Sequence, residues 1–129
     1  MSMNPDKKLL AGLSVLVVED DFLQSEEICI CITDAGAIVL GPADTVKAAV
    51  AIIDLNGVSV AIVDINLGDG PSFEVAGHLL RLKVPFLFVT GYDCGSMPAE
   101  FKHIVCLGKP YTDANLVRCV AVAGKQRIR

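Results

Sequence analysis

Five short apolar runs recur along the chain, and the stretches between them carry a different period. The runs are "LSVLVV" (13–18), "AIVL" (37–40), "VSVAIV" (58–63), "PFLFV" (85–89) and "HIVCL" (103–107). Each is continuous rather than alternating, the pattern of a strand covered on both faces. Between them apolar residues return at helical spacing. Val46, Ala49, Val50 and Ile53 follow i, i+3, i+4, i+7, with Asp44 or Thr45 placed as N-cap. Pro71 suits the first turn of a helix bearing Phe73, Ala76, Leu79 and Leu80. Thr112 or Asp113 is placed to cap a last helix bearing Leu116, Cys119, Val120 and Ala123. "ICICI" (28–32) has strand propensity, yet Ile28, Cys31, Ile32 and Ala35 form one helical stripe and Gly36 suits the position after a helix end. That choice leaves Cys29 and Ile30 off the buried stripe. A strand–helix unit repeated five times predicts an α/β fold: a doubly wound (βα)5 parallel sheet with right-handed crossovers and helices on both faces.

The length of 129 residues fits one domain, read here as residues 13–125 between an N-terminal tail (1–12) and a C-terminal tail (126–129). Hydrophobic residues make up 53%, enough for a core on two sides of a sheet, and with aromatics at 5% that core is expected to be aliphatic. A net charge of −4 argues against a nucleic-acid-binding surface, which needs clustered basic charge. "MSMNPDKKLL" has no apolar signal core, and no apolar stretch reaches bilayer-spanning length, so a cytoplasmic protein without a membrane partner is expected. The cysteines Cys29, Cys31, Cys94, Cys106 and Cys119 are odd in number and lack zinc-ribbon spacing. They read as small buried hydrophobes in a reducing compartment.

In an open parallel sheet, ligands bind beyond the carboxyl ends of the strands. Here the first strand ends in Glu19-Asp20-Asp21, the third in Asp64, the fourth in Thr90-Gly91 and the fifth in Gly108-Lys109-Pro110. Two carboxylates about 5 Å apart repel by about 3 kcal/mol at an effective dielectric near 20. A cation offsets that. Carboxylate, carbonyl and water oxygens suit Mg²⁺ or another divalent cation, which also favours phosphate. A carboxylate is itself a competent phosphoryl acceptor, and a lysine and a hydroxyl can hold the phosphoryl oxygens.

The ordered pieces "VLVVEDD" (15–21), "AIVDINLGDG" (61–70), "FVTGY" (88–92) and "GKPY" (108–111) resemble the receiver domain of two-component response regulators, across about residues 13 to 125. The resemblance implies a flavodoxin-like sheet with strand order 2-1-3-4-5. It implies that Asp64 is the phosphoacceptor, that Glu19 and Asp20 hold Mg²⁺ with Asp64, and that Asn66 offers the metal a backbone carbonyl. Thr90 would be the switch hydroxyl, Lys109 the phosphate-binding lysine, and the Lys109–Pro110 bond cis. Two features depart from the pattern. Cys106 stands where the family commonly has the switch Tyr or Phe, three residues before the lysine. The span from Thr90 to Lys109 is about three residues short and contains Gly95 and Pro98, so a shortened or irregular fourth helix is expected. "FVTGY" resembles a receiver subgroup with a Phe-Ala-Thr-Gly-aromatic motif, in which Tyr92 would replace the missing aromatic.

The function expected is that of a phosphoacceptor in a bacterial two-component or phosphorelay pathway, not an enzyme acting on an external substrate. The expected partners are a sensor histidine kinase or histidine phosphotransferase and a downstream protein reached by association. A haloacid-dehalogenase-like phosphohydrolase is the rival, but such enzymes want an acid two residues after the nucleophile, where this chain has Asn66. A flavin carrier fits less well, since Glu19-Asp20-Asp21 would repel the cofactor phosphate. Asp21 and Asp69 read as turn or capping residues, and His78 and His103 as solvated side chains. Val117, Ala121 and Val122 fall outside the last helix's stripe and suggest a partner or homodimer face, with Ile30 as a second.

Overall fold

The computed structural model describes residues 9–67, 70–91 and 94–125. Five parallel strands form the main sheet: β1 (Ser14–Val18), β2 (Ile38–Ala43), β3 (Val60–Asp64), β6 (Phe86–Thr90) and β7 (Cys106–Gly108), in spatial order β2-β1-β3-β6-β7. Counting main-sheet strands alone, this is the expected 2-1-3-4-5. Two short antiparallel strands, β4 (Asn66–Leu67) and β5 (Gly70–Pro71), follow β3. The helices are α1 (Phe22–Asp34), α2 (Val46–Leu55), α3 (Phe73–Arg81) and α4 (Asp113–Lys125).

Side chains of successive strand residues point to opposite faces, and the sheet divides its core accordingly. Val15, Val17, Ile62, Leu87 and Val89 pack with α1 and α4, while Leu16, Val18, Ala61, Val63, Phe86 and Phe88 pack with α2 and α3. The stripe expected on α1 is buried at Ile28, Cys31, Ile32 and Ala35, with Ile30 exposed. Asp21 caps α1 by accepting the Gln24 N–H at 3.0 Å, Thr45 caps α2 through the Ala48 N–H, and Thr112 takes the Asn115 N–H at the start of α4. Pro71 lies in β5, one residue before the α3 cap Ser72, rather than inside the helix. Packing also begins before β1: Leu10 is fully buried, and its N–H donates to the Ala35 carbonyl.

The second strand runs three residues past the expected run, through Gly41-Pro42 to Ala43. β2 is an edge strand, where a proline is tolerated at a bulge. The β1–β2 register shifts there, and the Gly41–Pro42 bond is cis. Gly41 has φ +93°, and a Cβ on it would lie 2.8 Å from the Ala43 nitrogen and 3.1 Å from the Val17 carbonyl oxygen. Only glycine allows this approach. The bulge restores pairing between Ala43 and Val18, and the Ala43 carbonyl then accepts the Glu19 N–H at 2.9 Å.

The irregular fourth helix is borne out. Between β6 and β7, among the described residues, stand only two 3₁₀ turns, Cys94–Ser96 and Ala99–Phe101. They seal the sheet with side chains. Phe101 stacks on Phe73 at 5.6 Å and meets Phe88 edge-on at 5.6 Å, while Phe86 meets Phe88 at 5.4 Å. The core is therefore aliphatic around α1 and α4 but locally aromatic here, a correction to the composition-based expectation. β7 begins at Cys106 rather than at residue 103, because the second 3₁₀ turn continues until the Ile104 N–H meets the Phe101 carbonyl.

The expected reading of α4 also needs correction. Val117 and Ala121 are buried and only Val122 is exposed, because the helix lies across both β3 and β6 and needs a wide apolar stripe. The apolar patch proposed there as a partner face is mostly core.

Candidate functional site

The carboxyl ends of β1, β3, β6 and β7 open on one edge of the sheet, and the residues found there depend on backbone register. Asp64, the last residue of β3, pairs with Val89, and Thr90 pairs with Gly108. The Lys109 N–H donates to the Thr90 carbonyl at 2.7 Å. The Lys109–Pro110 bond is cis, as expected. The Lys109 ammonium donates to Asp64 Oδ2 at 3.0 Å and to Glu19 Oε1 at 3.1 Å. Asp64 Oδ1 accepts the Asn66 N–H at 3.1 Å, and Glu19 Oε2 accepts the Asp21 N–H at 3.3 Å.

Glu19, Asp20 and Asp64 each bring a carboxylate oxygen within 4.8 Å of the others. Glu19 and Asp64 are buried and Asp20 is exposed, so the group opens to solvent at Asp20. Burial, with the Asp64 carboxylate beside it, pushes Glu19 up to about 7. Burial works against the Lys109 charge, but its bonds to Asp64 and Glu19 outweigh this and hold the ammonium above its ordinary range. One cation thus serves two buried acids, which leaves room for a second cation. An all-oxygen donor set of this size fits a divalent ion such as Mg²⁺.

The structure thus brings Glu19, Asp20, Asp64 and Lys109 together, with Thr90 fully buried at the adjoining strand end and Asn66 bonded to Asp64 through its backbone. Tyr92 and Asp69 lie outside the described residues.

No protein-family model matches the chain. Among curated relatives, the sensory transduction protein LytT of Bacillus anthracis is 29% identical over 119 residues, covering 89% of this chain and 48% of LytT. The chain thus spans about half the length of the curated relatives it matches. Among solved structures, SdrG from Sphingomonas melonis Fr1 is 29% identical with a TM-score of 0.70, covering 91% of this chain and 98% of that one. The PhyR response regulator REC domain of Erythrobacter litoralis superposes with a TM-score of 0.81 at 20% identity, covering 92% and 95%. The chain has the fold of a receiver domain. Response regulator TrrA from Thermotoga maritima, solved in complex with Mg²⁺ and BeF, shares the fold at a TM-score of 0.77 and 18% identity, covering 86% and 98%.

Three features of the structure were not anticipated from the residues. Cys94 and Cys106 form a disulfide, with Cα atoms 5.9 Å apart. Two of the five cysteines are therefore paired, and of the three free ones only Cys31 is buried while Cys29 and Cys119 are half-buried; the pairing was invisible because it depends on the turn after β6 folding back beside β7. Tyr111 follows the cis proline and lines a groove of about 440 Å³ with Gln24, Glu27, Ile28, Lys109 and Leu116. Burial, then the negative charge of Glu19, pushes its phenol up to about 12, so it stays neutral beside the acids. Third, His78 is not merely solvated: its Nε2 lies 2.7 Å from Asp54 Oδ1 and ties α3 to α2. His103 is exposed. Among the described residues, no helix is long and apolar enough to cross a membrane.

Proposed function

We propose that this receiver is the phosphoacceptor of a two-component or phosphorelay pathway, taking a phosphoryl group on Asp64 from a histidine of a sensor kinase or histidine phosphotransferase. The observation that carries this reading is the Lys109 ammonium shared between Asp64 and Glu19 at 3.0 and 3.1 Å, with Asp20 alongside. Glu19, Asp20, Asp64 and the backbone carbonyl of Asn66 would hold Mg²⁺, which supplies charge neutralisation for the phosphoryl oxygens.

In the transfer a carboxylate oxygen of Asp64 attacks phosphorus. The P–O bond forms, the P–N bond of the donor histidine breaks, and the imidazole leaves with the electron pair and takes up a proton. The Asn66 N–H fixes the rotation of the Asp64 carboxylate before attack. Lys109 exchanges Asp64 for a phosphoryl oxygen, and the Thr90 hydroxyl turns toward another. Because the Lys109 N–H is bonded to the Thr90 carbonyl, these two responses are mechanically joined. The signal then leaves by a change in affinity for a downstream protein rather than by turnover of a substrate.

Addition of Mg²⁺ and beryllofluoride to ¹⁵N-labelled protein tests this. Amides at Asp64, Gly91 and Lys109 are expected to shift, and Asp64→Asn to abolish the change. Unshifted amides around Asp64 would overturn the reading. Steady hydrolysis of a small phosphate ester would move it toward a phosphohydrolase.

A further inference from the structure

We propose that Cys94 and Cys106 are a thiol–disulfide exchange site, open to a dithiol reductant, whose redox state sets how far the segment after Thr90 follows phosphorylation of Asp64. The proposal rests on the receiver reading above. Cys94 lies four residues after Thr90, and Cys106 lies three before Lys109. The bond therefore links a turn that follows the strand carrying the site's hydroxyl to the first residue of the short strand that leads to its ammonium. Cys106 pairs in the ladder with Phe88, two residues before Thr90, so the link fastens the 3₁₀ turn Cys94–Ser96 to the edge strand. It does so where, among the described residues, the sheet lacks a regular helix, and the buried Met97 and Phe101 also anchor the segment.

Access and competition both favour exchange at this pair. Cys94 and Cys106 are each partly exposed, and β7 is the outer strand of the sheet. The other thiols are poor internal attackers, because the thiolate is the nucleophile. Burial pushes Cys31 up to about 11, and raises Cys29 and Cys119 as well. In the exchange, a thiolate of the dithiol attacks one sulfur and the Cys94–Cys106 bond breaks. The released sulfur leaves as a thiolate and is protonated, and the second thiol of the reductant resolves the mixed disulfide. Two electrons and two protons pass to the cysteines, and the dithiol becomes a disulfide.

The direction follows from what the bond coexists with. Here it accompanies Lys109 bonded to both Asp64 and Glu19. Movement of Lys109 and Thr90 to a phosphoryl group displaces both flanks of the linked segment. Oxidation thus favours the Lys109-bridged arrangement, and reduction releases it. Coupling between two sites is reciprocal, so occupancy of Asp64 makes the disulfide easier to reduce by the same factor.

The test compares the full chain oxidised with glutathione disulfide, the same chain reduced with dithiothreitol, and Cys94→Ser/Cys106→Ser. Alkylation after denaturation, read by mass spectrometry, should count three free cysteines in the oxidised protein and five in the reduced. Beryllofluoride with Mg²⁺ should bind the reduced and double-variant proteins at least about fivefold tighter than the oxidised one, the lower end of ordinary coupling. Gly91 and Gly95 amides should also move further in the reduced form. The wild-type comparison needs no substitution, so a poorly folding variant leaves the test intact. Equal affinities and equal Gly91 and Gly95 shifts in both redox forms, with Asp64 responding in each, would overturn the proposal alone. Five alkylated cysteines after oxidation would do the same. Silence at Asp64 in both forms would remove the receiver reading, and this proposal with it.

Discussion

At the scale of single residues, the site is two buried acids and one ammonium, and its energetics follow from that imbalance. Asp64→Asn leaves Lys109 with Glu19 in a one-to-one pair. The metal-free variant is expected to melt several degrees above the wild type, a gain of about 1–2 kcal/mol, while losing beryllofluoride binding. Differential scanning calorimetry beside the NMR titration checks both halves. Glu19 gives the pH dependence. Its folded value is raised to about 7 from 4.5, so between these values the folded chain holds the extra proton. Its contribution is full below about 4.5 and is lost as pH rises through about 7. Urea titrations without metal should show that loss, on the order of 3 kcal/mol, and Glu19→Gln should flatten it. The acids and the lysine were legible in the sequence because strand ends announce themselves as polar breaks in apolar runs. Tyr111 was not, since a tyrosine after a proline carries no such signal. Nor was the disulfide, whose halves meet only through the path of the chain after β6.

The elements were legible wherever one periodicity held, and blurred where backbone geometry overrode side-chain type. β2 illustrates this. Gly41-Pro42 reads as a stop, yet an edge-strand bulge carries the ladder through it and hands Glu19 its backbone partner. Gly41→Ala places a Cβ 2.8 Å from the Ala43 nitrogen at a positive φ. A loss of about 1–3 kcal/mol is expected in chemical denaturation, accompanied by a shifted Glu19 amide. The region between β6 and β7 shows the converse. Gly95 and Pro98 correctly signalled a missing helix, but what replaces it is a matter of packing that no local pattern encodes. Phe101 is only 1% exposed and contacts both Phe73 and Phe88. Phe101→Ala should cost about 3–5 kcal/mol, measured by urea unfolding, a large share of the stability of such a domain.

For the whole molecule, continuous apolar runs were enough to reveal a sheet covered on both sides, and the order of site residues along the chain was enough to place them on one edge. The breadth of the α4 contact was not, because its stripe is set by lying across two strands at once. A divalent cation should couple to the stability of the entire fold, since three carboxylates from two strand ends converge on one point. Mg²⁺ at 100 times its dissociation constant should add about 2.7 kcal/mol, read as a saturable rise in melting temperature. Asp20→Asn should weaken that rise, and Ca²⁺ should give a smaller one. The bridging lysine has a broader consequence. A fold whose acids are bridged by their own side-chain cation can be made, kept and emptied in the absence of metal. A divalent cation would then arrive as a second positive charge beside the first, and its concentration would tune how far the site is filled rather than decide whether the chain is folded.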